Sequence, residues 1–221
     1  MMNMKTSIYL IIASIYISIG LKAQEQQKRF FFKNFQNTYV YYKDGRNFCI
    51  PANYDLVKGS FIFIDKQDRD MLKLFDEQDK ISKIKIGERI FLSSRFGPTE
   101  IVQTEPEFKV YYKPRLLDIG KSGGYGITSN TSATRSYSHM TSYGGNIKSL
   151  DKETKYVHEI EKVYIIQKGN KEKRFSTSKQ FLKLYSKNKK ELQEYITKNQ
   201  IDFNTIMQVL ELYNYTEKMA Q

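Results

Sequence analysis

A single cysteine, Cys49, no tryptophan and only two histidines, His139 and His158, stand in a chain of 221 residues. One cysteine forbids an internal disulfide, so the fold must hold by packing. Cys49 lies in Asn47-Phe48-Cys49-Ile50, an apolar setting that predicts a buried, inert thiol. Two histidines and one cysteine, none at ligand spacing, predict no metal site. On a strand His158 and Glu159 would point to opposite faces, so that pair is no ligand set either. No G-x-S-x-G elbow is present, which argues against that class of serine hydrolase. Beyond residue 23 no run is apolar enough for the roughly 20 residues of a membrane-crossing helix.

Two apparent motifs fail on inspection. Gly120-Lys121-Ser122 matches the end of a phosphate-binding loop, but Arg115 stands where that loop needs its first glycine. Gly123-Gly124-Tyr125-Gly126 then follows where a helix is required, so no nucleotide is expected. Asp65, Asp68 and Asp70 suggest a calcium loop. Its sixth position should be Gly and its twelfth Glu; here they are Asp70 and Asp76. A solvated turn is the reading.

What the chain does have begins at its start. Lys5 precedes Ile8 to Ile19, an unbroken run of apolar and small residues, and the chain turns polar after Ala23 at Gln24-Glu25. Basic start, short apolar stretch and small residue at the cut is the order of a secretory signal. The run of twelve residues is short for a membrane anchor. Leu21 departs from the small residue favoured third before the cut. The expectation is a signal peptide over 1–23 and an exported protein that is periplasmic, outer-membrane-associated or secreted. No cysteine follows the apolar run, so a lipid anchor there is not supported.

Removing 23 residues leaves 198, enough to bury a core without staples. The formal charge of +12 falls to about +10 without Lys5 and Lys22. Such a charge attracts anionic lipid, acidic glycan or nucleic acid, although the lysines read as spread along strands and helices rather than gathered in one block. Seventeen tyrosines and fourteen phenylalanines fit strands and sheet surfaces.

From residue 30 to about 112 the pattern is of short strands and tight turns. Asp44-Gly45 between Thr38–Tyr42 and Asn47–Ile50 is a strong hairpin signal. Gly87-Glu88 between Ile84-Lys85-Ile86 and Arg89-Ile90-Phe91 is a second. Ser60–Ile64 is apolar without alternation, as in a strand buried on both faces. Ile101-Val102 and Phe108–Tyr112 read as further strands, and Met71–Phe75 as a strand or a helical turn. Strands return at Tyr156–Ile160, Val163–Ile166 and Lys173–Phe175. From residue 177 the period becomes helical. Thr177 with Gln180, and Asn188 with Glu191, predict capping boxes for two helices; Asp202 or Asn204 starts a third. The predicted fold is α+β. A mainly antiparallel β domain over 24–175, a sandwich or open barrel of meander hairpins, carries a helical segment of two to three short helices over 176–221. Strands this short, followed by helices, disfavour a membrane β-barrel.

Residues 119–147 interrupt the strands with a Gly/Ser/Thr tract. A loop of this length is either disordered or functional. Lys121, Tyr125, Arg135, Tyr137, His139 and Tyr143 are its candidate binding residues.

Asn53-Tyr54-Asp55, Gly59 and Phe61–Asp65, the Gly/Ser/Thr tract, Lys190–Ile196 and Asn199–Phe203 together resemble segments of exported Bacteroidetes proteins of unknown function. The resemblance spans most of residues 50–210. It implies an envelope location and brings no activity and no functional residues.

With no cofactor and no catalytic constellation, the expected function is a non-enzymatic binding or interaction module of the cell envelope. Its expected partner is an envelope protein or an anionic envelope component. Binding of a polyanion (acidic glycan, lipopolysaccharide or anionic lipid) through a basic, tyrosine-rich surface is the alternative; nucleic acid is disfavoured. An enzyme centred on His139 is the third reading, because loops often carry sites.

Overall fold

The computed structural model describes residues 29–94, 96–118 and 155–219. The expected signal at 1–23 and the tract at 119–147 lie outside the described residues.

Both expected hairpins form. β1 (Gln36–Tyr42) and β2 (Asn47–Asp55) turn at Asp44-Gly45, where Gly45 takes the positive φ of 90° that a side chain resists. β5 (Ile81–Ile86) and β6 (Arg89–Leu92) turn at Gly87-Glu88. Between them lie β3 (Ser60–Asp65) and β4 (Met71–Leu74). The turn at Asp65–Asp70 is organised by Lys73, whose Nζ bridges Asp65 and Asp68 at 2.7 and 2.8 Å. β7 (Thr99–Thr104), β8 (Glu107–Asp118), β9 (Lys155–Lys168) and β10 (Lys171–Phe175) complete the strands.

All pair antiparallel in one open sheet of order β10-β9-β8-β7-β6-β5-β1-β2-β3-β4. Two meanders, β1–β4 and β5–β10, are thus joined where β1 pairs β5. The sheet is far from flat. β3 and β6 are four places apart, about 19 Å at the usual strand spacing, yet the rings of Phe61 and Phe91 meet with centroids 5.3 Å apart. Register shifts at Tyr41/Tyr42 and Ile101/Gln103 add the local twist that such curling needs. The sheet is therefore sandwich-like, with one face curled over a single core.

Two strands run longer than the sequence pattern predicts. Tyr156–Ile160 and Val163–Ile166 belong to one strand, β9, because β8 pairs with it throughout. β8 continues past Tyr112 through Pro114. β7 accompanies β8 only as far as Tyr111, and a strand with one open side tolerates a residue that lacks an N–H. Cys49 also departs from expectation: it is exposed. Phe48 pairs the buried Val40, so Cys49, next along, takes the outer face beside Tyr39.

Three helices follow, α1 (Ser178–Leu184), α2 (Lys189–Lys198) and α3 (Ile206–Met219). They lie on the inner face near β7–β10. Phe108 touches Tyr164 and Tyr213, and Tyr164, Phe175 and Phe181 continue the stack into α1. Gln103 of β7 and Asn214 of α3 exchange amide hydrogen bonds at 2.8 and 3.0 Å. The capping is only partly as expected. Thr177 accepts from the Gln180 N–H, but the Gln180 side chain accepts from Ser176 N–H instead of closing the box on Thr177. Asn188 makes no side-chain cap; Glu191 accepts from the Tyr215 hydroxyl instead. Asp202 accepts from the Asn204 N–H and the Thr205 hydroxyl just ahead of α3.

The segment before β1 is strapped across the end of β2. Asp55, fully buried, accepts from Arg29 Nε and Nη2 at 3.0 and 2.6 Å and from the N–H groups of Val57 and Lys58. Asn53 accepts from the Phe32 N–H and donates to the Phe32 carbonyl. Asp55→Asn removes the charge that this network satisfies. We expect a loss of about 2–3 kcal/mol and faster deuterium exchange at Phe31 and Leu56, whose N–H groups bond to Tyr54 and Arg29 carbonyls. Unchanged exchange there would show that the strap does not depend on Asp55.

Candidate functional site

Three places in the molecule hold more than packing requires. The first is the outer end of the β8–β9 hairpin. Beyond Tyr111 on β8 and before Tyr164 on β9 the two strands pair only with each other, out to Asp118 opposite Lys155. One face of this arm stays with the core: Val157 is buried, and Leu116 and Ile160 pack against the same cluster. The other face carries cross-strand ion pairs, Lys113–Glu161 at 3.3 Å and Arg115–Glu159 at 3.0 Å. A register shift between Arg115 and Leu116 leaves His158 exposed, while Glu159 is engaged by Arg115. The arm ends where the Gly/Ser/Thr tract begins. Lys121, Tyr125, Arg135, Tyr137, His139 and Tyr143 all belong to that tract and lie outside the described residues.

The second is a buried charge cluster that the motif search missed. Phe91 pairs Glu100, and Glu100 pairs Val110. Arg89 and Tyr112, each two residues along, therefore share the inner face with Glu100. Arg89 donates from Nε and Nη2 to the two Glu100 oxygens at 2.6 and 2.7 Å, and from Nη2 to the Tyr112 hydroxyl at 2.8 Å. Tyr112 in turn donates to Glu100. The guanidinium sits 4.7 Å from the ring centre of Phe31 and 5.3 Å from those of Phe32, Phe91 and Tyr112. Burial is the largest single influence on the Arg89 pKa and lowers it; the bonds and charges of Glu100 and Tyr112 together outweigh it and keep it above the ordinary arginine value. Burial, then Glu100, push the Tyr112 phenol far above its ordinary range. Glu100 spends both oxygens on Arg89 and Tyr112, which leaves it poorly placed as a general base. Among the described residues no buried side-chain nitrogen or oxygen lacks a partner. The cluster is a clamp that ties β6, β7 and β8 to the strap.

The third is the distribution of lysine. Several lysines of the sheet and its turns are paired individually: Lys73 by Asp65 and Asp68, Lys80 by Glu77, Lys109 by Glu107 and Glu172, Lys113 by Glu161. The even spread read from the sequence fails at residues 168–190. There nine basic residues meet one acidic residue, Glu172. A running count of charge along the chain is the signal that finds it. Lys168 joins sheet to helix, donating to the Leu184 carbonyl with its ammonium 3.9 Å from the Tyr185 ring centre. Partial desolvation there lowers the Lys168 pKa; Glu217 opposes the shift and Lys173 adds to it. On the outer face of the sheet, Lys83 lies over Tyr41 at 4.7 Å, next to the half-exposed Tyr39.

Among the described residues no group of histidine, cysteine and carboxylate side chains is arranged to hold a metal, and no helix is long and apolar enough to cross a membrane. No family model matches the chain, and neither a curated protein nor a solved structure matches it.

Proposed function

We propose that this chain is an exported, non-enzymatic interaction module of the cell envelope, of the exported Bacteroidetes kind that it resembles, and that it offers the tract 119–147 to a partner from the tip of the β8–β9 arm. The observation behind this reading is the arm itself. Strands of 12 and 14 residues continue past both neighbours and end where the tract begins. A fold that needed only to close a loop would turn at Tyr112, where β7 has stopped. The arm is also stiffened, by Val157, Leu116 and Ile160 against the core and by two ion pairs outside. A rigid base beneath a recognition loop reduces the ordering cost of binding.

The test is crosslinking and capture in the native envelope with the full chain and with a variant lacking residues 121–146. An identified protein partner present with the first and lost with the second is the expected result. A partner retained by the deletion variant, with its folding intact, would remove the loop from the site.

A second reading, binding of a polyanion, is favoured by the unneutralised lysines of residues 168–190. The cations on the outer face of the arm support it poorly, because Glu159 and Glu161 already pair with them.

A further inference from the structure

We propose that the turn between β9 and β10, together with α1 and the start of α2, forms a docking face for an anionic lipid bilayer. This rests on the polyanion reading and not on presentation of the tract 119–147.

Register decides which charges share the face. Lys171 pairs Lys168, and Lys173 pairs the buried Ile166 two residues before it, so these three lysines lie on the face that carries the helices. Glu172 and Arg174 alternate to the opposite face. Glu172 bonds Lys109 there at 2.7 Å, and Arg174 stacks on Phe96 at 3.8 Å. The only carboxylate of residues 168–190 is thus turned away. In α1 the core residues are Phe181 and Leu182, with Tyr185 one turn on. Lys179 and Lys183, four apart in α1, fall on the opposite, exposed ridge, and Lys187 is exposed in the 3-10 turn Ser186–Asn188 that follows the helix. The contact of Lys168 with Leu184 and Tyr185 joins ridge and turn into one surface. The acids at its edge are Glu217, bonded to the Tyr185 hydroxyl at 2.9 Å, Glu191 in the first turn of α2, which accepts from Tyr215, and Glu194 after it.

This arrangement works against the stability of the free protein. Uncompensated like charges repel across the face. Lys189 and Lys190 open α2, where the helix dipole disfavours cations and Glu191 offsets only part of their charge. A surface that breaks local rules without internal compensation is where function is expected.

The side chains select the partner. Eight of the nine basic residues are lysine. Lysine is a compact, hydrated point charge that suits a diffuse array of phosphates, whereas arginine suits a single oriented carboxylate or phosphate. Phe175, Phe181 and Tyr185 are all buried, so residues 168–190 offer no exposed ring on which a base or sugar could stack. A planar layer of anionic headgroups meets both conditions, and basic clusters gain affinity there with each lysine.

The test is sedimentation of the protein, purified as the cell matures it, with phosphatidylcholine vesicles with and without phosphatidylglycerol. Binding only to the vesicles containing phosphatidylglycerol is expected, with release as salt rises from about 0.05 to 0.5 M. Replacing Lys179, Lys183 and Lys187 by Glu should weaken partitioning roughly tenfold or more with the thermal midpoint retained. Should that variant misfold, the Gln versions of the same three residues serve, with a smaller loss expected. Equal binding to neutral vesicles, or undiminished binding by the folded variants, would overturn the proposal. Polygalacturonate separates the two readings: binding to it without binding to vesicles overturns the lipid assignment and leaves a polyanion binder, and binding to neither removes both.

Discussion

Replacing Arg89 by Met is expected to cost about 2–4 kcal/mol of stability, because it leaves one half of a buried ion pair behind. The Glu100 side chain is 10% exposed and would keep only the Tyr112 hydroxyl as a donor in the cluster. The Arg89 side chain is 34% exposed, so water can reach the gap and holds the cost below that of a fully dry site. The loss extends beyond electrostatics. The guanidinium is also the surface on which Phe31 and Phe32 rest, so the strap loses part of its seat. The double variant Arg89→Met with Glu100→Gln removes both charges and keeps a carbonyl to accept from Tyr112. It should recover most of the loss, since paired removal of buried charge is far milder than removal of one partner. Urea unfolding of the wild type, both single variants and the double variant closes the cycle. A coupling energy near zero would show that Arg89 and Glu100 do not act as a unit.

The second large effect is on the alkaline side. Burial raises the phenols of Tyr54, Tyr112, Tyr164, Tyr185 and Tyr213 above the ordinary value near 10. Tyr164 and Tyr213 are each pushed up to about 12. Glu100 beside Tyr112 and Glu217 beside Tyr185 add to the burial. In the unfolded chain each phenol ionises near its ordinary value, whereas the folded state keeps its proton to higher pH. The stability linked to these groups is therefore whole below about pH 10 and falls as pH rises towards the folded values, by up to about 1.4 kcal/mol per pH unit for each phenol. Because several phenols share this direction, unfolding above about pH 10 is expected to be steep and cooperative. Phenolate absorbance followed with circular dichroism should show the exposed tyrosines ionising first and the buried ones appearing together with unfolding. A smooth titration of all phenols at their ordinary value, with structure retained, would contradict the burial of these side chains.

Much of the architecture is legible in local sequence because its signals are local. Asp44-Gly45 and Gly87-Glu88 accept the dihedral angles of a tight turn, and the residues around them alternate with a period of two. Thr177 caps α1 through its own hydroxyl. Where the sequence reading failed, the deciding neighbour was distant in the chain. The strand read over Phe108–Tyr112 runs on through Pro114 in β8, because β9 supplies a full partner where β7 has stopped. Cys49 reads as buried from its apolar neighbours, but the pairing of Phe48 with Val40 assigns the faces and turns the thiol outward. Asn188 reads as a cap, and its intended partner Glu191 is drawn away by Tyr215 of α3.

The sequence by itself determined the strand and helix periods, the two tight hairpins, the reliance on packing without disulfides, and the excess of positive charge. Only the tertiary structure decided which side chains meet. Arg89, Glu100 and Tyr112 come together through the registers of β6, β7 and β8. The lysines of 168–190 became a one-sided surface when β10 turned Glu172 to the far face and α1 buried its aromatic side. Local preference depends on a few adjacent residues and can be read from them. Register and facing depend on which distant strand completes the hydrogen bonds, and in a period-two strand a slip of one residue reverses every face.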